Sequence, residues 1–381
     1  MMETLFWTSI ALVVYIYAGY PLILWIWSLL NPRPVNRKAQ TPSVSILISA
    51  YNEEANIGQT LKNKLELDYP KDKLEILVVS DCSTDRTNAI VEDMAARSQI
   101  PIRLVVQQTR QGKTAGLNRL VPMARGDILV FSDANSHYAP DAVRMLVRNF
   151  ADPCVGYVTG KMIYVQEDGS LIGDGCSTYM RYENHLRQWE TDTGSIVGVD
   201  GGIDAMRRNL YSPLRPEQLP DFVQPLKVVE QGYRVVYEPE ALLEEPALNN
   251  HRDEFRMRVR VSLRALWALR DMAHMLNPLS YGLYSFKLWS HKVLRYLAFI
   301  PLAGAWLTSI LLADHHPQYL AFGLLQTGFY GLALAGIRGY GESNRWVRLA
   351  AFFTLVNAAC AVAFWRFIQG QKQVIWQPRS G

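Results

Sequence analysis

Chemistry-bearing side chains in this 381-residue chain recur directly after short apolar runs. Tyr51-Asn52-Glu53-Glu54 follows the run that begins at Ser43, and Asp81-Cys82-Ser83-Thr84-Asp85 follows Leu74–Val79. Gly112-Lys113-Thr114 opens a helical stretch, and Asp133-Ala134-Asn135 follows Asp127–Phe131. Two acidic groups, a lysine and an Asp-x-Asn pair on one rim would suit a metal-chelated diphosphate. Magnesium and manganese take carboxylate oxygens and leave positions for phosphate. Each motif alone has a plainer reading: residues 81–85 as a turn and helix cap, Asp-x-Asn as an ordinary turn. Gln107 stands where a P-loop requires glycine, which argues against a P-loop NTPase. The motifs gain weight from their order and their shared position.

The elements that must position them follow a regular alternation. Apolar runs at 43–49, 74–79, 102–106 and 127–131 read as buried strands. Polar, helix-forming stretches at 53–67, 85–96 and 114–124 separate them. This spacing belongs to an α/β domain with a mainly parallel sheet and helices on both faces. Ligands of such sheets sit beyond the carboxyl ends of the strands, where the motifs fall.

The chain is 49% hydrophobic and 19% charged, with Lys+Arg 39 against Asp+Glu 35. A net charge of +4 is too small to point to nucleic acid. The four cysteines form no CxxC pair, so neither a zinc cluster nor a disulfide framework is indicated. The apolar excess lies at the two ends. Residues 5–30 are uncharged, longer than the roughly 20 a bilayer crossing needs. Further candidate spans are 296–313, 319–337 and 349–364, the last short enough to be tilted or re-entrant. Residues 280–294 mix aromatics with cations, as a helix in the interface plane does. Arg33, Arg37 and Lys38 after the first span place the central region in the cytoplasm. The expected organisation is a transmembrane helix and linker (1–40), the α/β domain (41–250), interfacial helices (251–293) and C-terminal transmembrane helices (294–381).

On these residues the chain resembles the membrane-embedded family-2 glycosyltransferases, which include hyaluronan, chitin, cellulose and poly-N-acetylglucosamine synthases. The resemblance rests on Ser49-Ala-Tyr-Asn-Glu-Glu54, Val79-Ser-Asp-Cys-Ser-Thr-Asp85, Gly112-Lys-Thr-Ala-Gly-Leu-Asn118, Phe131-Ser-Asp-Ala-Asn135 and the segment from Asp221 to Pro239. It implies a GT-A fold, a nucleotide-sugar donor, usually a uridine one, and Mg²⁺ or Mn²⁺. By that similarity Tyr51, Glu53 and Asp81 hold the nucleoside, Lys113 lies near the nucleotide, and Asp133 binds the metal. Asn135 stands where many members have a second Asp, which removes one negative charge. Asp221 matches the general base that takes a proton from the acceptor hydroxyl, and helix capping is its plainer role.

Gly201 and Gly202 resemble the family's acceptor-side segment, and Trp189 nearby is a candidate sugar platform or a packing residue. Processive members carry Gln-x-x-Arg-Trp. Here the stretch is Met257-Arg-Val-Arg260-Val261, which keeps Arg260 for diphosphate charge and lacks the tryptophan. The expected activity is inverting transfer to a growing polysaccharide or another membrane-associated acceptor. Single addition to a lipid-linked acceptor, and a catalytically silent nucleotide-binding subunit of a polysaccharide assembly, are the alternatives. The expected partners are the donor, a carbohydrate or lipid-linked acceptor, the bilayer, and further copies or other assembly subunits.

Overall fold

Branched apolar residues run almost unbroken through 44–50 and 74–80, and both segments are strands buried on two faces, as central parallel strands are. The computed structural model describes residues 1–165, 175–246, 251–341 and 344–373. Its eight strands are β1 (Val44–Ala50), β2 (Leu74–Ser80), β3 (Ile102–Val106), β4 (Ile128–Asp133), β5 (His137–Tyr138), β6 (Val155–Val165), β7 (Asp204–Arg207) and β8 (Arg234–Pro246). They form one sheet in the order β3-β2-β1-β4-β7-β6-β8-β5. The first four are parallel, β7 runs antiparallel to β4 and β6, and β8 is parallel to β6. The α/β architecture read from the sequence is therefore present, with a mixed half that the apolar runs did not disclose.

Register decides what the rim holds. Ala50 pairs with Ser80, Ser49 with Asp133 and Val106 with Ser80, so the chain leaves β1, β2, β3 and β4 at one level. Because β7 is antiparallel, its beginning reaches the same edge: Asp204 pairs with Phe131. One face of the sheet packs Ile46, Ile48, Ile76, Val78 and Ala205. The other packs Leu47, Leu77, Val79, Phe131, Tyr157 and Met206. The alternation along each strand separates the two layers.

The helix expected from Glu53 begins only at Ile57. The intervening backbone is used differently. Glu53 N–H donates to Thr87 Oγ1, Glu54 N–H to Asp85 Oδ2, and Asn52 N–H to Ser83 Oγ. Residues 51–54 are thus laced to 83–87, and Asn52 and Cys82 both adopt positive φ in these turns.

This sheet belongs to a unit comprising Asn31–Leu171, Arg187–Ala247 and Gln373–Gly381; Met1–Leu30, Ile172–Leu186 and Leu248–Lys372 form a helical unit. In the helical unit Met2–Leu30, Pro317–Ile337 and Arg345–Ile368 are each long and apolar enough to cross a membrane. The segment read as short, 349–364, lies inside the 24-residue helix Arg345–Ile368. The expected span at 296–313 is instead a 13-residue helix, Phe299–Leu311, bent by 55° from Pro278–Tyr296. It counts as a span only together with that preceding segment. Pro301 accounts for the break: its ring cannot sit against the carbonyl of residue 297 in a continuous helix. Within this unit the buried Glu183 accepts from Arg295 at 2.6 Å and pairs with His291 at 3.1 Å.

Candidate active site

Asp81 begins the turn after β2 nearly buried, and both of its oxygens are engaged by the protein. Oδ1 accepts from Gln107 Nε2 and Gln111 N–H, and Oδ2 accepts from Gly112 N–H. Its work in this structure is to hold the 107–112 loop. Arg110 of that loop lies over the Tyr51 ring, 3.6 Å from its centroid, with Nε 4.0 Å from Asp81 Oδ2. Tyr51 and Arg110 together make a flat, cationic wall beside Asp81. The sequence reading did not include Arg110, whose only signal was its place in the loop after a parallel strand. Glu53 accepts from Asn56 Nδ2 and turns the chain into the next helix. Asp85 accepts from Thr87 N–H and Oγ1 at the start of the helix Thr87–Arg97, whose N-cap is Arg86.

Lys113 opens the helix Lys113–Leu120. Its ammonium donates to Asp133 Oδ1 at 2.8 Å and lies 3.4 Å from each oxygen of Asp221. Burial works against this charge, yet Asp133 and Asp221 hold the ammonium above the ordinary lysine range. Asp221 stands in the first turn of the helix Pro220–Glu230. The N-cap is Leu219, so the carboxylate does not cap that helix; it meets Lys113 and is partly exposed. Lys113, Asp133 and Asp221, widely separated in sequence, are therefore one cluster.

Bare backbone borders both carboxylates. A Cβ on Gly201 would lie 3.1 Å from Asp221 Oδ2, and one on Gly202 would lie 3.4 Å from Asp133 Oδ2 and 3.2 Å from Ser136 Oγ. Both glycines have positive φ, at +71° and +75°. The buried Arg187–Asp200 pair braces this turn, with Nη1 to Oδ2 at 2.6 Å. Gly201→Ala is expected to lower turnover about ten- to a hundredfold by displacing the Asp221 carboxylate. Nucleotide affinity is expected to stay at the wild-type value. Steady-state rates alongside calorimetric UDP titration check it, and unchanged turnover would show that the carboxylate tolerates the methyl.

The donor set suits a divalent metal completed by phosphate. Asp133 is more than a third exposed on its side chain, Asn135 is half-buried beside it, and the buried Ser136 hydroxyl has no hydrogen-bond partner among the described residues. These are hard oxygen donors with open space at Gly202. Magnesium needs only one or two carboxylates when diphosphate supplies further ligands. Among the described residues no group of three His, Cys, Asp or Glu side chains converges to hold an ion alone. Trp189 lies half-buried in the last turns of the helix Gly175–Asp192. Arg260 lies on the basic helix His251–Asp271 of the helical unit.

Two charged groups went unread in the sequence. Asp204 is fully buried at the start of β7, with the side chains of Thr159 and Tyr157 beside its carboxyl. Burial, and then the charge of Asp221, push its carboxyl up to about 8. Lys64 is also fully buried, its Nζ donating to Ser136 O at 2.7 Å and Asn63 Oδ1 at 3.0 Å. Burial holds this amine well below the usual lysine range, with Asp133 working the other way.

Known proteins resemble this chain in sequence and in fold. The family model described as glycosyl transferase family 2 matches residues 45–214. The chain is 30% identical over 234 residues to the probable glycosyltransferase YdaM of Bacillus subtilis, covering 58% of this chain and 54% of that protein. It is 33% identical over 163 residues to the beta-monoglucosyldiacylglycerol synthase of Synechocystis sp., covering 42% and 34%. The chain thus spans between a third and about half of the length of these relatives. The mannosyltransferase PcManGT of Pyrobaculum calidifontis, solved with GDP-Man and Mn²⁺, superposes with a TM-score of 0.74 at 24% identity. That likeness covers 97% of this chain and all of the other, and it is one of fold. Tyr51, Asp81, Lys113 and Asp133 all lie within the matched residues, and the chain carries a family-2 glycosyltransferase domain.

Proposed function

We propose that the protein is an inverting, metal-dependent transferase that moves one sugar from a nucleotide-sugar donor to a membrane-associated hydroxyl acceptor. The observation that carries this reading is the Lys113 ammonium shared between Asp133 and Asp221. It brings the candidate diphosphate side and the candidate base side within reach of one cation. Asp133 and Asn135 would hold Mg²⁺ or Mn²⁺, which when bound offsets charge on the leaving diphosphate. Lys113 would take a phosphate oxygen, and Tyr51, Arg110 and Glu53 would border the nucleoside, with Asp81 keeping their loop in place. Trp189 is the candidate for contact with the acceptor sugar.

The step balances simply. The acceptor hydroxyl gives its proton to Asp221 and its oxygen bonds to the anomeric carbon. The bond from that carbon to the diphosphate breaks, and its electron pair leaves with the diphosphate oxygen. A single displacement inverts the centre. Gly201 leaves space for an acceptor oxygen next to Asp221. The helices Met2–Leu30, Pro317–Ile337 and Arg345–Ile368 favour an acceptor held at a bilayer, and Arg33, Arg37 and Lys38 favour a cytoplasmic domain. The relative named a beta-monoglucosyldiacylglycerol synthase supports a lipid acceptor. The absence of a tryptophan after Arg260 favours single addition over polymer growth.

The test offers the detergent-solubilised chain UDP- and GDP-sugars with membrane lipid extract and Mn²⁺ or Mg²⁺. Nucleoside diphosphate release and product size are followed. Metal-dependent release with one sugar on lipid is the expected result. A high-molecular-weight product would make the protein a polysaccharide synthase. UDP binding without release from any donor would make it a silent subunit.

A further inference from the structure

The helix Ile57–Leu65 grips the segment that carries Asn135. Three carbonyls two residues apart accept from three of its side chains. Thr60 Oγ1 donates to Ala134 O at 2.7 Å, Lys64 Nζ to Ser136 O at 2.7 Å, and Asn63 Nδ2 to Tyr138 O at 2.9 Å. Asn63 Oδ1 also accepts from Tyr138 N–H at 2.8 Å. Residues 60, 63 and 64 share one helical face, which meets the turn at 134–135 and the short strand His137–Tyr138 that follows it. The Tyr138 ring lies under the Lys64 ammonium at 3.4 Å, and its hydroxyl donates to Gly202 O at 2.6 Å. The grip therefore extends to the glycine turn that borders Asp133.

Lys64 is costly where it stands. Among the described residues no carboxylate forms a salt bridge with it, and its side chain is fully buried. A methionine would fill similar volume without removing an ammonium from water. What methionine cannot do is hold the Ser136 carbonyl. We propose that Lys64, with Thr60 and Asn63, is a positioning residue for the metal. It fixes the backbone on both sides of Asn135 so that Asn135 and Asp133 present their oxygens to one cation. This rests on the metal reading given above.

The test uses the full chain in detergent with UDP present and titrates Mn²⁺, reading free ion by electron paramagnetic resonance. Lys64→Met and Thr60→Val are compared with the wild type. Loss of such outer partners weakens metal binding about tenfold or more, and that rise in half-saturating Mn²⁺ is expected for Lys64→Met. Thr60→Val is expected to give a smaller rise in the same direction. Turnover at saturating Mn²⁺ is expected to stay within about threefold of wild type, since only metal occupancy has changed. Thr60→Val introduces no change of charge and decides the matter if Lys64→Met does not fold. Wild-type Mn²⁺ affinity in both variants, or turnover that stays depressed at saturating metal, would overturn the proposal while leaving the metal reading intact. No Mn²⁺ binding by the wild type would remove both.

Discussion

Asp221→Asn is expected to abolish nearly all turnover while UDP binding persists. A positioned general base contributes about 10² to 10⁴ in rate, and the asparagine amide cannot accept the acceptor's proton. The variant is nearly isosteric, and the wild-type carboxylate does not cap its helix, so the Pro220–Glu230 helix has no reason to unfold. Its one evident structural debt is electrostatic: Lys113 loses one of two carboxylates and leans on Asp133 alone. A modest change in donor affinity is therefore compatible with the reading, and a collapse confined to turnover is its signature. Single-turnover sugar transfer and UDP calorimetry on the same preparation separate the two effects. Turnover within about threefold of wild type would remove Asp221 as the base, because that is far less than base catalysis supplies.

How much of this was legible without coordinates depended on whether a residue's role was written in its neighbours. Strands β1 to β4 were, because each is a short apolar run closed by polar turn residues. The remaining strands were not. In β7 only Ala205 and Met206 are apolar, between Asp204 and Arg207, and β5 is only two residues long. The rim residues were found because parallel strands end together, but their duties were not. For Asp81 the resemblance implies a place beside the nucleoside, while only the structure shows that its carboxylate accepts from Gln107, Gln111 and Gly112.

Lys64 follows Lys62 in a polar stretch and reads as a solvated cation. Only its spacing with Ile57, Thr60 and Leu61 marks the inward face. Arg110 has no periodicity around it at all. In the helical unit, hydropathy identified apolar length but not continuity. The break before Phe299 depends on one proline, which a window average dilutes.

Asp204→Asn is expected to remove the pH dependence that this one group imposes on stability. The folded carboxyl titrates at about 8, against about 3.9 for an ordinary aspartate. Between those values the folded chain keeps a proton that the unfolded chain has released. Stability therefore falls as pH rises through that window and levels off above it. Asparagine keeps the shape and never ionises, so the variant lacks this slope. Summed over the window the difference amounts to a few kcal/mol.

Apparent unfolding temperatures of both full chains, without added divalent metal, are measured from about pH 5 to about pH 9. The gap in favour of asparagine should widen with pH and reach its maximum at the alkaline end. A constant gap at every pH would show that Asp204 does not titrate in this window. Asp221→Asn supplies the cross-check. It removes the charge that helps push the Asp204 carboxyl up, so the fall should move to lower pH. A neutral Asp204 also leaves the Lys113 ammonium shared by Asp133 and Asp221 alone. The buried acid thus sets the charge of the cluster at which transfer is proposed, without touching either substrate.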